Sequence, residues 1–231
     1  MMTRRLIQLF IGLSLYGASM ALMLRAALGL DPWDVFHQGL ATHVGLSFGM
    51  LVNLVGALVL LLWIPLRQRP GIGTIANVLV IGTAVDLTMT VLPAVDDLAV
   101  RAVLLGSGVV LNGVAGALYI GAGLGPGPRD GLMTGLVRRT GWSIRRVRTG
   151  IELAVLAIGW LMGGTVGLGT VIYAFAIGPL VQVFLPLFTI RDSAPQEAAA
   201  VGALGAMLLA VLQQRAGCLL SKDDSYVATV G

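Results

Sequence analysis

Leu28-Gly29-Leu30-Asp31-Pro32-Trp33-Asp34 returns 96 residues later, with no gap, as Leu124-Gly125-Pro126-Gly127-Pro128-Arg129-Asp130. The register holds well beyond this stretch. Gly39-Leu40 falls on Gly135-Leu136, Gly45 on Gly141, Ser47 on Ser143, Gly73-Thr74 on Gly169-Thr170 and Gly82 on Gly178. What recurs is Pro, Gly and Asp, the residues that shape turns and helix caps. The chain therefore reads as two like units, and in a membrane protein such units commonly face each other across a pseudo-two-fold axis with a binding site between them.

Composition places both units in lipid. Hydrophobic residues make up 57% of the 231-residue chain and charged residues 11%, far below the roughly 25% charged of soluble domains. The mean hydropathy is +0.91. Glycine stands at 32 positions, as suits helices packed through small residues, and the spacings Gly131-x-x-x-Gly135 and Gly159-x-x-x-Gly163 fit that use. Cys218 is the only cysteine, which excludes an intrachain disulfide and a Cys-rich metal or redox site. The basic balance comes from arginines gathered in a few loops, a signal of topology rather than of a nucleic-acid surface.

Apolar stretches long enough to span run from about 6 to 28, 48 to 66, 72 to 92, 102 to 122, 144 to 162 and 168 to 188. That is three spans in each unit. An odd number forces the second unit to enter from the opposite face, so the expected fold is an all-α polytopic membrane protein of two inverted three-helix repeats, 1–98 and 99–192, followed by 193–231. With the N-terminus in the cytoplasm, Arg4, Arg5, Arg67, Arg69, Arg138, Arg139, Arg145, Arg146 and Arg191 all fall inside, in accord with the positive-inside rule. The opening Arg4-Arg5 and apolar run could pass for a signal peptide, but its match to 102–123 marks it as a retained span. The stretch 198–212 is either a seventh helix or part of a loose tail.

Residues 31–46 and 127–142 are too short and glycine-rich for ordinary spans, yet too apolar for ordinary loops. Each is either an interfacial helix with Asp34 or Asp130 as N-cap, or a re-entrant half-helix of the kind tolerated only where it lines protein or a watery cavity. Trp33 reads as an interface anchor.

The Leu-Gly-x-x-Pro-Trp-Asp break, the Gly-Pro-Arg-Asp-Gly-Leu-Met run at 127–133, Arg148-x-x-x-Glu152, the Gly-Trp-Leu-Met-Gly-Gly run at 159–164 and the Gly-x-Gly-Thr motifs resemble the bacterial YczE/YyaS/YitT group of membrane proteins, nearest its YczE-like branch. The likeness covers about residues 4–190. It implies a bacterial inner-membrane protein of five or six spans and leaves the chemistry open.

Candidate site residues are the ionisable and polar groups inside spans, where such groups are costly. Arg148 and Glu152 share a helix face and read either as a buried structural pair or as charges exchanged on solute binding. Asp86 lies two-thirds along its span and is either a proton-carrying carboxylate or a marker of the outer headgroup level. Asn77 and Asn112 are either interhelical hydrogen-bonding groups or solute contacts. Asp34, Arg129 and Asp130 stand at the two repeat-related helix entries, where helix N-termini attract anions. Asp34 with His37 is a weak candidate for a cation or proton.

No His-Glu-x-x-His, phosphate loop, ATPase motif or catalytic Ser/His/Asp arrangement is visible, so no enzyme, metal or cofactor is expected. The expected function is secondary transport of a small solute or ion, as permease or exporter. The alternative is a non-transporting subunit that assembles with, regulates or captures substrate for a larger membrane complex. Expected partners are the lipid bilayer, the solute, and a second copy or a membrane protein.

Overall fold

The computed structural model describes residues 2–190, and the stretch 198–212, read as either a seventh helix or part of a tail, lies outside the described residues. Eight helices follow one another: α1 Met2–Ala26, α2 Pro32–Val44, α3 Phe48–Leu66, α4 Ile72–Val91, α5 Leu98–Gly121, α6 Pro128–Thr140, α7 Ile144–Leu161 and α8 Leu168–Phe188. The chain is a polytopic helical membrane protein. Five helices, α1, α3, α4, α5 and α8, are long and apolar enough to cross a membrane. The sixth expected span, α7, has 18 residues, or roughly 27 Å, but carries Arg145, Arg146, Arg148 and Glu152. Large apolar side chains lie exposed on the outer faces, among them Leu87, Val103, Phe175 and Leu187, a surface that water would penalise and lipid does not.

Helix limits follow the caps rather than the edges of hydropathy. α5 begins four residues before the apolar edge at 102, because Asp97 accepts the Val100 N–H at 2.9 Å. α1 ends at Ala26, where Ala27 (φ 48°) and Gly29 (φ 118°) turn the chain. Asp31 then caps α2, accepting the amides of Trp33 at 2.8 Å and Asp34 at 3.0 Å, with Pro32 preset in the first turn. Asp34 and Asp130 are thus not the caps expected from sequence; each lies inside the first turn, and Gly127 occupies the cap position of α6. Both short helices stop at a glycine with φ 70°, Gly45 and Gly141, a left-handed conformation that costs glycine little.

α1 packs along α5 and α4, and α5 along α8; α2 lies on α7 and α6 on α3. Each short helix therefore rests on a long helix of the other half. The contacts exchange on adding the repeat offset. Gly169 N–H donates to the Leu28 carbonyl at 2.8 Å, and Gly73 N–H to the Leu124 carbonyl at 2.8 Å. Gly39 meets Met162, while Gly135 meets Leu66; Val35 lies over Gly159, while Trp63 lies over Gly131. Such reciprocity is the pattern of an isologous two-fold interface, here within one chain.

Candidate functional site

The N-terminal turns of α2 and α6 converge. Arg129, second in α6, reaches into the first turn of α2, with Nη1 3.7 Å from Asp31 Oδ1 and Nη2 3.7 Å from Asp34 Oδ1. Its guanidinium carbon stands 4.9 Å above the Trp33 ring, a cation–π stack that favours Arg over Lys. Trp33 is buried, 8% exposed, which corrects its reading as an interface anchor: once Pro32 starts α2 inside the bundle, the ring has no headgroup layer to reach. Asp34 is also 3.3 Å from His37 Nδ1, and both are buried. Around Arg129 this first turn of α2 thus sets two carboxylates and an imidazole.

Three tyrosines and an asparagine frame it. Tyr119 donates to Asp130 Oδ2 at 3.1 Å, and its ring meets Tyr16 edge-on at 6.0 Å. Asn112 Nδ2 donates to Ser19 Oγ at 2.8 Å while its carbonyl accepts Tyr173 O–H at 3.0 Å, tying α1, α5 and α8 together at a fully buried amide.

Two cavities share Tyr16, Trp33, Tyr119, Arg129 and Asp130 in their walls. The smaller, about 100 Å³, extends towards α3 and α4 and touches Asn77 and His37. The larger, about 350 Å³, extends towards α7 and α8 and is lined by Asp31, Arg148, Glu152, Tyr173 and Gln182. That volume suits a small solute.

A family model described as a family of unknown function (DUF6198) matches residues 3–186. The chain belongs to this family. An uncharacterized protein of Haemophilus influenzae is 39% identical over 82% of this chain and 87% of its own length. The uncharacterized membrane protein YczE of Bacillus subtilis is 37% identical over 77% of this chain and 83% of its own length. YyaS of Bacillus subtilis is 26% identical over 77% of this chain and 90% of its own length. The resemblance read from the motifs is borne out for YczE and YyaS. No solved structure matches.

Within this framework the sequence candidates separate. Arg129, Asp130, Asp34 and, on the smaller cavity, Asn77 gather at the centre. Arg148 and Glu152 form their ion pair at 2.8 Å, but at 57% and 39% exposure on the wall of the larger cavity, so the pair is not the buried one considered from sequence. Asp86 points elsewhere. It accepts Ser47 O–H and the Gly49 N–H at 2.8 Å, holding the first turn of α3. Asn112 is committed to its two hydrogen bonds behind the cavity wall.

Asp31, Tyr119 and Tyr173 were not among the sequence candidates. Asp31 had a signal: an Asp directly before Pro at the start of a short helix is a cap and first-turn pattern. Tyr173 had a weak one, as the repeat equivalent of Asn77; Tyr119 had none, since an aromatic in an apolar span is usually packing.

Proposed function

We propose that this protein is a secondary transporter, permease or exporter, of a small solute or ion in the bacterial cytoplasmic membrane. Its N-terminus is cytoplasmic, and the solute site lies between two inverted three-helix halves. The observation that carries this reading is that the N-termini of α2 and α6, from equivalent points of the two repeats, end in one buried cluster of charge beside a cavity of about 350 Å³. In lipid a helix is broken only where protein or a cavity covers the exposed backbone, and discontinuous helices meeting between repeats are how many transporters hold substrate. α2 and α6 are then re-entrant half-helices, α7 is the sixth span, and its Arg148 and Glu152 face the cavity rather than lipid.

In this reading Arg129 is the central cation. Asp34 and Asp130 flank it from the two half-helices, Arg148 and Glu152 offer opposite charges across the larger cavity, and Asn77 lines the smaller one. Asp86 and Asn112 hold helices in place around the site. Alternating access would come from one half rocking on the other about the reciprocal glycine contacts.

The test is a screen of purified protein for thermal stabilisation by small metabolites and ions, because a ligand that binds only the folded state raises the melting temperature. Hits are then followed by flux into proteoliposomes. A hit that is transported and is lost with Arg129→Lys supports the proposal. Silence across the panel, or binding with no flux, rejects it in favour of a membrane subunit that serves a larger complex.

A further inference from the structure

The central cluster is short of positive charge. Asp31 and Asp34 are 2% and 0% exposed, and the one guanidinium between them is 3.7 Å from each, beyond hydrogen-bond reach. One oxygen of each carboxylate is committed: Asp31 Oδ1 to the cap amides, Asp34 Oδ1 to the side of His37 and Arg129. The other oxygen of each, Oδ2, is buried and has no hydrogen-bond partner among the described residues.

Ionised Asp31 and Asp34 against one guanidinium leave a buried negative charge, and Asp130, which accepts the Tyr119 hydroxyl on the same cavity wall, supplies no positive charge to offset it. Groups in that position are ordinarily paired or neutralised. Asp31 stands in the wall of the larger cavity, so the missing charge has somewhere to come from.

We infer that the Asp31–Asp34 pair receives one further monopositive group: the ammonium of a small amine or zwitterion occupying the larger cavity, or a proton that accompanies the solute. The source of that group rests on the transport reading; the need for it rests on the charge count and on the two unpartnered oxygens. A zwitterion fits the cavity on both sides. Its ammonium would lie at Asp31, and its anionic end within reach of Arg129, which neutralised carboxylates would hold less tightly. The binding of solute and the loosening of the link between α2 and α6 would then be one event.

The groups that bear on Asp31 are Arg129 and Asp130 from α6, Asp34 and His37 from its own helix, and the phenols of Tyr16, Tyr119 and Tyr173. Arg148 and Glu152 face it across the cavity. His37 remains in the test variant, so a response that belongs to it would survive Asp31→Asn.

The test compares the full chain and Asp31→Asn in detergent at constant ionic strength. Asn keeps the cap of α2 while removing its charge. The probes are ethylammonium, tetramethylammonium, sodium and potassium chlorides at pH 7.5, and acidification from pH 7.5 to 5.5. A saturable rise in melting temperature of roughly 5 °C with an ammonium or alkali cation, absent in Asp31→Asn, supports the inference and assigns the charge to solute or ion. A comparable rise on acidification alone, absent in Asp31→Asn, supports it and assigns the charge to a proton. The variant should also melt above the unliganded wild type at pH 7.5, since an unpaired buried charge is gone.

No response in the wild type, or a response that Asp31→Asn retains, overturns it. If Asp31→Asn does not fold, Asp34→Asn is read by the same criteria. Flux that survives both substitutions sinks this inference and leaves transport standing; a cation response without flux does the reverse.

Discussion

α2 and α6 occupy equivalent places in the repeat and share a skeleton: Pro in the first turn, Asp in the first turn, a glycine at φ 70° at the end. Their chemistry is opposite. α2 is capped by a carboxylate and presents Asp31, Asp34 and His37, while α6 is capped by a glycine and presents Arg129. The supports are exchanged too. Under α2 the large group is on the short helix and the small one on the long helix, Val35 over Gly159; under α6 it is Gly131 that yields to Trp63. Two matching backbone segments meet here, and the difference in a few side chains makes their meeting point an ion pair. A strictly symmetric repeat would bring like charge to like charge.

The sharpest way to break that comparison is to remove its single cation. Arg129→Met leaves two buried carboxylates facing each other and should cost about 3 to 5 kcal/mol, measured by chemical or thermal unfolding in detergent. Adding Asp31→Asn and Asp34→Asn should recover most of the loss, and no recovery would mean that Arg129 holds the fold through packing on Trp33 instead. Next is the size exchange. Gly131→Val copies the α2 seam into α6 and should cost about 2 to 3 kcal/mol, because its branched side chain meets the rigid Trp63 ring. Combined with Trp63→Ala the cost should fall well below the sum of the two single changes.

A third comparison concerns Asn112, whose equivalent in the first half is Tyr16. Asn112→Ala takes the acceptor from the buried Tyr173 hydroxyl and one donor from Ser19, whose own hydroxyl keeps the Tyr16 carbonyl, and should cost about 2 kcal/mol, whereas Tyr16→Phe, whose ring packs edge-on against Tyr119, should cost less than half as much. The smallest effect is expected at Arg148 and Glu152. As an exposed pair one turn apart, its loss in Glu152→Gln should move stability by no more than about 0.5 kcal/mol; a loss of several kcal/mol would show that α7 is clamped by the pair.

The inversion of the halves has its own test. His43 and Arg139 are repeat equivalents, both exposed near the ends of α2 and α6. In a Cys218→Ser background, His43→Cys and Arg139→Cys should react with an impermeant maleimide from opposite sides of the membrane. Reaction from one side would end the inverted model.

Much of this could be read from local pattern. The membrane class follows from composition, the spans from apolar length, and the repeat from Pro, Gly and Asp, because each depends on a residue and its near neighbours. The caps were nearly legible: Asp34 and Asp130 are the acidic residues that match in the repeat, yet a cap must precede the helix, and Pro32 already begins α2. Helix α7 reads as a span from its apolar length, while Arg145, Arg146, Arg148 and Glu152 break the hydropathy of its first turns.

The rest depends on what meets what across the bundle. Asp31 and Arg129 are 98 positions apart, and no periodicity links them. Asp86 resembled a membrane-embedded carboxylate until α3 was laid beside it and its oxygens took up Ser47 and Gly49. Tyr119 is indistinguishable from a packing aromatic until Asp130 is brought within hydrogen-bond reach. Local sequence sets helix, cap and hydropathy because those energies are local. Which charges become partners is set by packing, where a few ångströms decide whether a buried carboxylate is satisfied or waiting for a cation.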